Sequence, residues 1–227
     1  FRKYLQNLQQ TNTPESWRMY EALFELKLTT GTQSAVQKAL EMCQCQLSMG
    51  KWKEEDEISC RILEARMCER LARAGGADSD DYAEAAIRGY TLAQDGARNM
   101  KQSIDASLRL AHFCDALLKS ATNDRGSDYS EVFVRQTLIA LKASGTKRSA
   151  PARHLLPRLL VLLREVITDD TAFEFGQALS RVPVWLFLDW IPQLLSMMSD
   201  SQLDAVASPL IRSLVSKYPA AVRPHFN

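Results

Sequence analysis

The residues able to do chemistry are few and scattered. His112, His154 and His225 are the only histidines. His112 lies two positions from Cys114, so on a helix the two side chains point about 200° apart and cannot share a metal. His154 has no histidine at i+4, and a catalytic or metal role is not expected for any of the three. Five cysteines, Cys43, Cys45, Cys60, Cys68 and Cys114, sit inside helix-like patterns. The Cys43-x-Cys45 spacing is too tight for a zinc knuckle, which needs two to four intervening residues. Loop-borne cysteines of a short secreted chain would indicate a disulfide framework. Thiols buried in helices of a reducing compartment are expected instead. Acidic pairs such as Glu54-Glu55 and Asp169-Asp170 read as solvated helix ends, and nothing favours a glycosidase-type carboxylate pair. Lys147-Arg148, between Ser144 and Ser149, reads as a solvated basic linker before a docking or modification loop.

Nucleotide and hydrolase chemistry has no footing either. No G-x-G-x-x-G, H-R-D, D-F-G, Walker A or G-x-S-x-G motif occurs. No catalytic residue, cofactor site or metal site is therefore expected. Charge is balanced, 28 Lys and Arg against 27 Asp and Glu, in both halves of the chain. Without a bulk basic field, direct nucleic-acid binding by this segment is not expected. Membrane spanning is not expected: the most apolar stretch, Pro183 to Leu188, stops at Asp189, far short of about 18 residues. The chain starts at Phe1 without a signal-peptide pattern, which suggests part of a longer protein.

What remains is helical periodicity. Helices are expected over Glu15–Leu28, Ser34–Met49, Lys51–Ala74, Tyr82–Ala93, Asn99–Ser120, Tyr129–Ala143, Leu155–Ile167 and Thr171–Leu179. Cys60, Leu63, Met67 and Leu71 share one face, as do Ala106, Leu110, Phe113 and Leu117. Gly31, Gly50, Gly75-Gly76 and Gly96 punctuate, and loops are expected at Ala121–Ser127 and Ser144–Ala150. The alanines between Tyr82 and Tyr90 resemble the second helix of a tetratricopeptide repeat. No period-two pattern supports a strand. The expected fold is all-α, an α-solenoid of about ten helices in irregular repeats. Its expected parts are tetratricopeptide-like repeats over 1–121 and HEAT-like repeats over 128–227, in one continuous fragment.

The last segment is the most distinctive. Val184, Leu188, Ile191, Leu195 and Met198 form an apolar stripe, widened by Trp185 and Trp190, that predicts a helix buried between layers. Pro192 either kinks it or marks where two helical pieces meet. Ser199 with Gln202 fits a capping box for the next helix. That helix faces inward through Leu203, Val206, Leu210 and Leu214, with Pro209 inside it, and ends at Tyr218-Pro219.

V-P-x-W-x-F-x-x-W-I from Val182, Ala205-Val206, Y-P-x-A from Tyr218 and the closing Phe226 resemble the FAT domain of the phosphatidylinositol-3-kinase-related protein kinases. S-L-R-L-A-H-F-C-D-A-L-L (Ser107 to Leu118), Tyr129 to Lys142 and L-P-R-L-L (Leu156 to Leu160) are similar to the preceding helices. The likeness runs over about 105–226; Ala220 departs from the usual glutamine after Tyr-Pro. It implies a non-catalytic scaffold, with Pro183, Trp185, Phe187, Trp190, Ile191, Tyr218, Pro219 and Phe226 as packing residues. The implied partners are a kinase domain of the same protein and neighbouring repeats. The implied parent is a nuclear serine/threonine kinase of double-strand-break repair by non-homologous end joining, working with the Ku heterodimer at DNA ends. From the residues alone, a free-standing helical-repeat adaptor for partner peptides is the alternative.

Overall fold

The computed structural model describes residues 14–50, 52–120, 126–143, 152–168 and 170–226. The basic loop at 144–150, most of the loop expected at 121–127, and Asp169 lie outside them. Among the described residues every regular element is a helix. The fold is all-α, built from successive helices that pack on their neighbours as in helical repeats. Two compact units, 1–106 and 107–227, divide the chain.

The first unit contains α1 (Pro14–Thr30), α2 (Gln33–Ser48), α3 (Glu54–Ala74) and α4 (Ser79–Gly96), and α5 (Met100–Ser120) begins in it. Gly31 separates α1 from α2 for a steric reason: a Cβ there would stand 2.5 Å from the Lys27 carbonyl oxygen. Thr32 then caps α2, its hydroxyl accepting the Ala35 N–H at 3.3 Å. Glu54, Glu55, Asp56 and Glu57 crowd the first turn of α3, where the helix dipole favours negative charge. The expected α3 face of Cys60, Leu63, Met67 and Leu71 is fully buried. Gly75 (φ 75°) closes the helix in a conformation that disfavours any side chain.

Gly89 of α4 lies over Ala65 of α3 so closely that a Cβ on it would meet the Ala65 Cβ at 3.0 Å. Small residues thus set the α3–α4 approach. Two tyrosines tie α4 to both neighbours: Tyr82 donates to Gln37 of α2 and Tyr90 to Glu69 of α3, each at 2.6 Å. Arg66 pairs with both carboxylate oxygens of Glu25, tying α3 to α1, and Arg70 donates to the Gly31 carbonyl at 2.6 Å.

In the second unit, α6 (Gly126–Ala143) packs on α7 (Leu156–Val166), which a 3-10 turn (Arg153–Leu155) introduces. The leucine run becomes a core strip: Leu156, Leu159, Leu160, Leu162 and Leu163 are all buried. α8 (Ala172–Ser180) and α9 (Ile191–Met197) both pack on α10 (Ser201–Lys217). α11 (Pro219–Val222) and a closing 3-10 turn (Arg223–Phe226) follow. The expected inward face of α10, Leu203, Val206, Leu210 and Leu214, is buried, and Tyr218 ends the helix as expected.

Two expectations are corrected here. Of the two readings of Pro192, the junction of two helical pieces holds and the kinked single helix does not; the correction is that the first piece, Val184–Trp190, is 3-10, while Pro192 sits in the first turn of a separate α-helix, where its missing N–H costs nothing. The cap of α10 is Asp200 and not Ser199, its carboxylate accepting the Gln202 N–H at 3.1 Å. A carboxylate at that place also complements the dipole, which a serine hydroxyl does only weakly.

Candidate functional site

The 3-10 turn re-aims the terminal segment. With three residues per turn, side chains at i and i+3 eclipse. Val184 and Phe187 therefore point together into the core, and both are buried. Trp185 and Leu188 share another side, and both are half-buried. The stripe read at α-helical spacing is displaced accordingly: Leu188 and Leu195 are half-buried and Met198 is exposed, while Leu186, Leu194 and Met197 supply the core. Of the eight residues singled out in the sequence, Phe187 and Ile191 lie in the core. Pro183, Trp185, Trp190 and Tyr218 are half-buried, and Pro219 is exposed. Phe226 closes the last turn; its side chain lies outside the described atoms.

The half-buried residues line grooves. One of about 490 Å³ is walled by Pro183, Trp185, Val206, Pro209 and Tyr218. Its rim carries Lys142, Arg181 and Lys217, and among the described residues no carboxylate lines it. An apolar floor under a cationic rim suits a segment that presents an aliphatic or aromatic anchor beside acidic residues. A second groove, about 380 Å³, holds Trp190 with Pro157, Val161, Arg164 and Leu203. The two tryptophans therefore serve different grooves.

Beside the first groove, Arg135 is held from two sides. Its Nε donates to Glu131 at 2.7 Å and its Nη2 to Glu174 at 3.1 Å, and the guanidinium lies 5.3 Å from the Phe175 ring centre. The Glu174 carboxylate holds the Arg135 pKa above its ordinary value, and Arg135 in turn depresses that of Glu174. Asp115 is a second clamp, accepting from Lys119 at 2.6 Å and Arg158 at 2.9 Å. Burial pushes the Asp115 carboxyl up, but these two cations together hold it below the ordinary carboxylate value.

Two side-chain pairs, one of histidines and one of cysteines, were invisible to sequence reasoning. His154, which has no partner at i+4, has its Nε2 3.2 Å from that of His112, with the rings 14° from parallel. The residues lie 42 positions apart, and only the packing of α5 beside the turn that leads into α7 unites them. Cys43 and Cys60 are free buried thiols with sulfurs 3.3 Å apart. The hydrogen bond to Cys60, then burial, raises the Cys43 pKa; burial takes Cys68 up to about 12. Among the described residues, no three His, Cys, Asp or Glu side chains converge on a metal-sized site. No helix there is long and apolar enough to cross a membrane.

Comparison with known proteins points in one direction. A 126-residue stretch, 52% of the chain, is 30% identical to the DNA-dependent protein kinase catalytic subunit of Xenopus laevis. A 131-residue stretch is 28% identical to the same protein of Gallus gallus, and 125 residues are 27% identical to that of Canis lupus familiaris. The match spans only 3% of each relative's length. No protein-family model and no solved structure matches.

Proposed function

Because just over half of this chain is similar to a stretch of DNA-dependent protein kinase catalytic subunits, we propose that it is a non-catalytic scaffold segment, of the FAT type, from such a serine/threonine kinase. The observation that carries this reading is that similarity, falling on an all-α chain. In this reading 1–121 are tetratricopeptide-like and 128–227 HEAT-like repeats, and the helices brace the kinase domain of the same protein. Packed helices have discrete arrangements, so a docked partner can bias the kinase lobes through them. The working context is the nucleus, at double-strand breaks joined end to end, with the Ku heterodimer and DNA ends engaged by other parts of the parent. The Trp185 and Trp190 grooves are the surfaces offered to neighbouring repeats or the kinase domain.

The test uses the parent protein expressed from its complete coding sequence. Trp185→Ala combined with Trp190→Ala is expected to lower DNA-stimulated phosphotransfer severalfold while ATP binding persists. The 227-residue chain alone is expected to be helical and to transfer no phosphate. A coding sequence without kinase motifs overturns the proposal in favour of a peptide-binding adaptor. Phosphotransfer by the isolated chain overturns it as well.

A further inference from the structure

We propose that His112 and His154 form a two-imidazole clip for one zinc ion. Two imidazoles aimed at a metal about 2.05 Å from each Nε2, with an N–metal–N angle between about 100° and the tetrahedral value near 109°, place their nitrogens about 3.1–3.3 Å and their ring centres about 4.9–5.2 Å apart. The observed separations are 3.2 Å and 5.1 Å. A straight N–H···N hydrogen bond of the same length would hold the centres about 5.5 Å apart. The spacings therefore admit a shared third atom in the place of a bent N–H···N hydrogen bond.

The clip is preorganised. His112 projects to solvent from α5 while its neighbours Ala111, Phe113 and Cys114 are wholly buried, so its backbone is fixed by the core. His154 is exposed too, in a 3-10 turn pinned by buried Ala152, Leu155 and Leu156. One turn further along, α5 is joined to α7 itself by the Asp115–Arg158 ion pair. The nearby cations are occupied, Arg153 with Asp189 and Arg158 with Asp115, which limits their repulsion of a metal. Imidazole nitrogens suit zinc, and water would complete a shell that the protein half supplies. No electron moves: zinc exchanges two waters for the two Nε2 lone pairs, and the ring that donated from Nε2 in the metal-free hydrogen bond carries its proton on Nδ1 instead. The ion would tie α5 to the turn before α7 across 42 residues of chain.

Calorimetric titration of the 227-residue protein with zinc chloride, in a buffer that does not chelate, tests the site. One ion per chain is expected, with a zinc-dependent rise in melting temperature. His112→Asn or His154→Asn should each weaken uptake about tenfold or more and abolish the thermal shift. His225→Asn and Cys45→Ser should leave both unchanged, and circular dichroism checks that every variant is folded. Absence of zinc uptake by the folded wild type overturns the proposal. So does uptake that survives both histidine substitutions or disappears with Cys45→Ser.

Discussion

The α3–α4 contact yields a prediction whose size follows from its geometry. A methyl at Gly89 would stand 3.0 Å from the Ala65 Cβ, against about 3.5–4.0 Å for an ordinary carbon–carbon contact. Gly89→Ala gains about 1 kcal/mol of helix propensity but forces overpacking that costs about 1–3 kcal/mol. The variant is expected to lose about 0–2 kcal/mol. Ala65→Gly loses about 1 kcal/mol of propensity and a buried methyl worth about 0.8 kcal/mol, close to 2 kcal/mol together. In the double variant the methyl moves from one helix to the other and the propensities cancel. The new Cβ then meets the residue 65 Cα at 3.5 Å and its nitrogen at 3.7 Å, both ordinary contacts. Stability should return to within about 0.5 kcal/mol of wild type, a coupling of about 2–4 kcal/mol. Urea unfolding of the four proteins, followed by far-UV circular dichroism, measures the cycle. Additive losses, or a stabilising Gly89→Ala, would refute the close approach.

Phe187→Ala empties a fully buried position and should cost about 3–5 kcal/mol in the same assay, whereas half-buried Trp185→Ala should cost clearly less. Asp115 carries a pH signature. Its folded pKa is depressed, so its contribution is complete above the unfolded value near 3.9 and fades as pH falls through the folded one. Asp115→Asn should therefore lower the urea midpoint at pH 7, and its gap from wild type should narrow as pH falls below about 3.9. In thiol titration with an aromatic disulfide, exposed Cys45 alone should react quickly in the native chain, and all five cysteines after unfolding. A fast second equivalent would contradict the burial and raised pKa values of Cys43 and Cys68.

Helices bounded by a steric or capping necessity were legible in the sequence. Gly31, Gly75 and Tyr218-Pro219 stop helices because backbone sterics allow little else, and the Cys60–Leu71 and Leu203–Leu214 faces follow from period alone. The Val184–Trp190 turn was not legible, since apolar residues at nearly every position fit both three and 3.6 residues per turn. Tertiary packing made that choice, and it moved Trp185 and Trp190 from the expected core to groove walls. Ser199 and Asp200 are both good caps, and sequence could not rank them without the backbone. The histidine pair depends on two elements meeting across 42 residues, a distance at which side-chain spacing along the chain carries no information.

The placement of the four tryptophans also makes the chain its own optical reporter. Trp17 is buried edge-on against Trp52 at 5.5 Å, which shelters its indole from solvent, while Trp185 and Trp190 stand on the walls of separate grooves. Emission from the first pair records whether the amino-terminal helices are folded. The second pair is open to a dissolved quencher, and anything seated in a groove would screen its indole. Retaining only Trp185 or only Trp190 in the second unit would show which groove is filled, by light alone and without attaching a label.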